Sequence, residues 1–314
     1  MPANSEIVNW EERWSKPVAL LTLLAVALLV VSQVIGGAVS GDGDAEILRS
    51  THDHASAVTL SSLLQAVGFA LFAAPLYYLF RAVRVRSDRV RGQLVGLVVI
   101  APLFLAISTG LSAAARNEAA STFVDGDAKQ GITVKAAGKD CQSEREDLGA
   151  KEFGEEFGGG SGAAALKQCT DTRLADEEAS NATSEASTAA AVSGFGLAGA
   201  LGLAVALFYT GLWAMRTGLL SRFWGSLGMA LGVAVLIGLI IFTMVWLVYF
   251  ALLIAGWLPG GKPPAWAEGK AVPWPTPGEK AAEELAPSSE ESSAEPAVGE
   301  ERRKRKQRDA GESE

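Results

Sequence analysis

Four stretches of this chain, 18–35, 58–80, 94–114 and 190–215, are apolar and contain no Asp, Glu, Lys, Arg or His. Each is close to the ~20 residues that a helix rising 1.5 Å per residue needs to cross a ~30 Å hydrocarbon layer. A soluble core rarely needs that many uncharged residues in succession. Hydrophobic residues make up 49% of the 314, yet the charges are gathered into blocks between the stretches, the segregation expected of a multi-pass membrane protein. We therefore expect an all-α, polytopic transmembrane helical bundle with four clear spans.

A fifth apolar run, 223–258, has no charge and no proline to mark a turn. As one helix it would measure ~54 Å against the ~30 Å layer; as two, each half has about 17 residues, the lower limit for spanning. Gly238, near the midpoint, tolerates a reversal best. One crossing and two crossings put the following tail on opposite sides, and we expect two short segments turning near Gly238. Pro17 is expected at a helix start, and Pro75 and Pro102 are expected to kink their spans. The first stretch also resembles a secretory signal, with AVS at 38–40 as a cleavage site. Its length and its head, with Glu6, Glu11 and Glu12 against Arg13 and Lys16, favour an uncleaved anchor.

Orientation follows from the basic residues of the short links. Arg81, Arg84, Arg86, Arg89 and Arg91 follow the second span, and Arg216 and Arg222 follow the fourth. Both links are expected in the cytoplasm with the N-terminus. The link 36–57 holds Asp42, Asp44, Glu46 and Asp53 against Arg49, and the segment 115–189 is acidic. Both are expected outside, in a plasma (inner) membrane protein.

Cys141 and Cys169, the only cysteines, share that outer segment, where an oxidising compartment lets them close. A disulfide closing 28 residues would contribute ~3 kcal/mol in the chain-entropy model. GGGSG at 158–162 reads as a flexible joint, since no Lys-Ser/Thr follows it. Ala-rich flanks favour helix, so the third and fourth spans are expected to project from the bilayer and carry a small stapled cap.

The chemistry-bearing residues are few. His52 and His54, the only histidines, flank Asp53, and His-x-His can ligate zinc or copper when a third donor is near. The competing reading is a polar turn in which Ser50 or Thr51 caps the second span. GDGD at 41–44 lies in a loop with no facing aspartate, which excludes a shared-proton aspartyl dyad. The spans hold no ionisable relay, which argues against a coupled transporter. No catalytic residue, cofactor or metal is assigned. Small residues fall at four-residue spacing at Gly194, Ala198, Gly202 and Ala206, and again at Gly228 and Gly232. They permit close helix approach, within the chain or in a homodimer.

From 259 onward the chain turns to Pro, Glu, Ser and Lys, too little apolar content to order it. It is read as a disordered tail whose Trp266 and Trp274, with Trp257 just before it, rest at the headgroup level. The basic run 301–308 can touch anionic lipid. Nucleic-acid binding would need a basic face on a folded module, which is lacking.

PLYYLFRAVRVR, RTGLLSRFWGSLGMALGV and PPAWAEGKAVPWP together resemble a set of multi-pass membrane proteins of actinobacteria. The resemblance implies an inner-membrane location and brings no catalytic motif. The expected role is non-enzymatic: interaction, scaffolding or envelope sensing, with membrane lipid and a protein partner on the outer segment or the tail. A passive small-molecule or lipid conduit is the alternative, and a metal-dependent enzyme on His52–His54 the third reading.

Overall fold

The structure is a computed structural model and describes residues 4–129, 131–157 and 162–274. The described residues are helical and contain no strand. Residues up to Val272 form one compact unit.

Helix α1 (Asn4–Gly36) crosses the bundle to a short surface helix, α2 (Asp44–Asp53). The chain returns through α3 (Ala55–Leu71) and α4 (Ala73–Arg84), then crosses again in α5 (Val95–Val124) after a 3-10 turn, Gly92–Leu94. Helices α6 (Val134–Leu148), α7 (Ala150–Glu156) and α8 (Gly162–Glu185) build a cap, and α9 (Ala189–Arg216) returns. A helical hairpin follows, α10 (Arg222–Leu236) and α11 (Ile240–Ala255), and then a single-turn helix, α12 (Pro264–Glu268). Four helical segments are long and apolar enough to cross a membrane: Ser5–Gly36, Ala55–Arg84, Gly92–Val124 and Ala189–Arg216. Large apolar side chains such as Val34, Leu197, Ile237 and Ile241 stay exposed on the bundle. A surface facing water does not carry so many, whereas hydrocarbon accepts them. The chain is a helical membrane protein.

The run 223–258 folds as two helices, of 15 and 16 residues, and turns through Gly238 at φ 79°. Both are shorter than the four long helices. The hairpin is held on the bundle by close approach. A Cβ on Gly232 would stand 2.6 Å from the Ala204 carbonyl of α9, and Gly228 lies flat against Trp246 of α11. The indole N–H of Trp246 donates to the Trp224 carbonyl at 3.0 Å.

The small-residue stripe of α9 is only half as expected. Gly202 meets Ala101 of α5, and Ala206 is buried. Gly194 and Ala198 are exposed. The residues that let α5 approach are Gly196, against Ser108, and Gly199, against Leu105 and the Ala101 carbonyl. Successive residues at a strict four-residue step rotate by ~40° around a 3.6-residue helix, so such a stripe winds off the contact face within three steps. The real contact advances by three and four.

The prolines behave differently from one another. Pro75 withholds the N–H that would have met the Leu71 carbonyl, and α3 ends at Leu71. Helix α5 runs through Pro102 without a break. Pro17 lies inside α1 rather than at its start. The turns before it stay helical because Trp10 and Glu11 are tied to α4, as described below.

The cap rests on the projecting end of α5. Ala45 and Leu48 of α2, Ala119, Ala120 and Phe123 of α5, and Ala179 and Ala182 of α8 form its small core. The sulfurs of Cys141 and Cys169 are bonded, with Cα atoms 6.1 Å apart, and they tie α6 to α8 beside Phe153 and Ala165. Thr133 opens α6 by accepting from the Ala136 N–H. Helix α5 continues past the apolar stretch 94–114 to Val124, while α9 begins at Ala189 and follows α8 across 186–188. There Glu118 accepts from both the N–H (3.0 Å) and the hydroxyl (2.7 Å) of Ser187. The 158–161 part of the expected Gly-rich joint lies outside the described residues.

The reading of everything after 258 as a disordered tail is corrected for 259–272. Pro264 opens α12 and Gly269, at φ 64°, closes it, the usual proline-first, glycine-last order. Trp266 is 4% exposed, so its ring packs against protein rather than lipid headgroups, while Trp257 stays exposed. The Val272 N–H donates to the Thr217 carbonyl at 3.1 Å, and a Cβ on Gly218 (φ 77°) would collide with the Val272 carbonyl. The composition of the long tail hid one tryptophan with a prepared socket. The expected disorder from 275 on, and the basic run 301–308, lie outside the described residues.

Candidate functional site: a clamp at one end and a cavity pair at the other

The buried face of α1 runs Ile7, Glu11, Ser15, Val18, Thr22, Ala25, Leu29 and Ser32. These steps of three and four mark one face of a helix. Continuing that face back from its apolar part carries a carboxylate into the interior. Glu11 there meets Arg86, whose side chain is fully buried. The guanidinium donates through Nη1 to Glu11 Oε1 and through Nη2 to Glu11 Oε2, the latter at 2.8 Å. It also donates to the Ala265 carbonyl (3.1 Å from Nε, 2.8 Å from Nη2) and to the Ala82 carbonyl (2.9 Å).

Aromatic rings close this end. Tyr78 stacks on Trp10 at 5.4 Å and on Trp266 at 5.8 Å, and its hydroxyl donates to the Glu11 carbonyl at 3.0 Å. Arg81 lies 4.0 Å over Trp10, a cation–π contact. The Trp266 indole N–H donates to the Leu219 carbonyl at 2.9 Å. One bidentate pair therefore ties together α1, α4 and the 259–272 strap. Beside it, partial burial pushes the Lys262 ammonium below its ordinary range, against the opposing pull of Glu12 and Glu11. The Arg86 donors are occupied by protein acceptors, so the arrangement suits a lock rather than a catalytic centre.

At the other end lie two half-open cavities of about 440 Å³ and 310 Å³, the larger between α5, α8 and α9 at the start of α2 and the smaller against α2 itself. They share Asp44, Arg116 and Thr183. The larger is lined by Ser112, Ser180, Ser184 and Ser193, of which Ser112 and Ser184 donate their hydroxyls to the Thr109 and Asn181 carbonyls, and the smaller by Val39, Ile47, Leu48 and Val58. Their volumes fall in the range of small-molecule sites. Helix α2 is held firmly to its neighbours. The Ala45 N–H at the start of α2 donates to Asp176 Oδ1 of α8 at 3.0 Å, and Arg49 lies 5.3 Å over the Phe123 ring. A Cβ on Gly43 would stand 2.6 Å from the Asp176 carboxylate, so α2 and α8 meet closely there. Among the described residues, Arg116 makes no ion pair.

The histidines are elsewhere. His52 and Asp53 end α2, and His54 is the single residue between α2 and α3; all three are exposed. His54 Nδ1 lies 3.0 Å from the Ser50 carbonyl. Among the described residues, no third donor gathers with them. The capping role expected of Ser50 or Thr51 is corrected: both lie within α2, and His54 precedes α3 without a side-chain cap. Their link became a helix because Ala45, Leu48 and Thr51 found a face to bury against the cap. Cys141, Glu144 and Cys169 have donor atoms close together, but the two sulfurs are bonded to each other. The arginines of the two basic links mostly serve the clamp end. Besides Arg81 and Arg86, the Arg84 guanidinium packs against Gly92, and Arg216 lies 5.4 Å over Trp213. The Arg91 backbone N–H donates to the Tyr209 hydroxyl, and Arg89 is exposed.

Sequence reasoning missed Glu11, Arg116 and the role of Trp266. Glu11 was legible by extending the three-and-four spacing of α1. Arg116, two residues past the apolar stretch 94–114, looked like an ordinary loop charge.

No family model matches the chain, and no curated protein or solved structure does.

Proposed function

We propose that this chain is a non-enzymatic binding protein of the plasma membrane, with its stapled cap facing out of the cell and both ends of the described chain facing the cytoplasm. The observation that carries the reading is the asymmetry of the two ends. Two pockets that share Arg116 and Asp44 lie at the cap end, while the opposite end carries stacked rings, a saturated ion pair and a smaller pocket of about 250 Å³ beside Trp10 and Arg81. Larger pockets at the cap end, with a saturated ion pair closing the interior at the other, suit recognition or sensing better than passage through the bundle. The Cys141–Cys169 bond suits an oxidising outer face. The basic links 81–91 and 216–222 suit a cytoplasmic one. The Trp266 strap lies at the same end as those links, so an inward tail follows from the same orientation.

A flux measurement separates this reading from a conduit. Vesicles reconstituted with the full chain and loaded with small solutes are expected to leak no faster than protein-free vesicles. Rapid, protein-dependent release of solute would replace the binding reading with the conduit.

A further inference from the structure

The two cavities at the cap end share one cation, Arg116, and one anion, Asp44. Equal and opposite charges on a common wall attract and repel a simple anion to a similar degree, because Coulomb energy scales with charge over distance. A ligand that carries both signs matches the wall. Arg116 is 21 residues beyond the start of α5, ~32 Å along the helix, where a ~30 Å hydrocarbon layer gives way to headgroups. The smaller cavity continues this charged wall with Val39, Ile47, Leu48 and Val58. Charge of both signs, hydroxyls and an apolar wall at headgroup height describe the polar end of a membrane lipid.

We propose that the cavity pair binds the headgroup of a lipid bearing a primary ammonium close to a phosphate, as in phosphatidylethanolamine. This rests on the reading of the cap-end cavities as a binding site. Arg116 receives the phosphate, since a planar guanidinium presents paired donors to its oxygens. Asp44 accepts from the ammonium, which a quaternary amine without N–H groups does not reproduce. Ser112 and Ser184, whose hydroxyls donate to the Thr109 and Asn181 carbonyls and keep lone pairs to accept with, complete the polar wall of the larger cavity, and the apolar wall of the smaller receives the first carbons of an acyl chain.

The test uses the purified full chain in mild detergent, so membrane orientation does not enter. The protein is offered phosphatidylethanolamine, phosphatidylglycerol and phosphatidylcholine with the same acyl chains, and bound lipid is read by native mass spectrometry. Soluble O-phosphoethanolamine forms a separate arm. Phosphatidylethanolamine is expected to be retained over the other two, and Arg116→Gln and Asp44→Asn are each expected to weaken it about tenfold, the loss of one charge-assisted contact. Both side chains are exposed, so the melting temperature serves as a control and is expected to hold. Equal retention of phosphatidylglycerol overturns the proposal while leaving the cavity a binding site. Soluble O-phosphoethanolamine binding as tightly as the lipid likewise overturns the assignment to a lipid. If neither lipid nor soluble ligand is retained, the proposal and the binding reading beneath it both fail.

Discussion

Arg86→Ala is expected to destabilise the folded protein by about 3–5 kcal/mol, the usual cost of removing one partner from a buried ion pair. The reason is the carboxylate left behind. Glu11 is 3% exposed and receives both of its ionic hydrogen bonds from Arg86. The Ala265 carbonyl loses its bonds from the same guanidinium, so the strap loosens together with α1. Thermal unfolding in detergent measures the loss. The double variant Glu11→Leu/Arg86→Met is expected to be markedly more stable than Arg86→Ala, because it strands no charge. A double variant as unstable as the single one would assign the effect to packing rather than to the stranded carboxylate.

Trp266→Ala is expected to cost about 3–5 kcal/mol, the range for deleting a buried tryptophan. Its ring covers Tyr78, and its N–H is the donor to the Leu219 carbonyl. The loss is expected to be local at first. Val272 is held by one backbone bond to Thr217, so without Trp266 the strap opens before the spans separate. Limited proteolysis reads this: cleavage within 259–272 is expected to become fast while the spans stay intact. An uncut strap in this variant would mean that Arg86 and the Gly218 contact hold it without the tryptophan.

These two residues show where sequence reasoning worked and where it stopped. The spans were legible because uncharged length is a one-dimensional property, and the hairpin because Gly238 was the natural place for a positive φ. The cysteine pairing followed from there being two. The clamp was harder because it is made of residues that each had a simpler role locally. Arg86 was one of several basic residues marking a side, Glu11 belonged to an acidic head, and Trp266 stood in a stretch too polar to order by itself. Only the fold brings Glu11, 75 residues before Arg86, and the Ala265–Trp266 pair, whose Ala265 lies 179 residues after it, into one socket. The α9 stripe packs within the chain only at Gly202 and Ala206 for a geometric reason: a strict four-residue step drifts around the helix and off one contact line. Arg116 and Asp44 became a shared wall only when the 36–57 link folded as α2 over the end of α5.

The central claim is that the cap and its cavities face outward while the clamp faces the cytoplasm. Lys167 lies exposed in α8 of the cap, and Lys270 lies exposed in the strap. Single Lys167→Cys and Lys270→Cys variants, expressed in intact cells and treated with a membrane-impermeant maleimide, report the side of each end directly. The native cysteines are paired and provide the unlabelled background. Labelling of Lys167→Cys before permeabilisation, and of Lys270→Cys only after it, is the predicted result. The reverse pattern, or labelling of both positions from outside, would contradict the account.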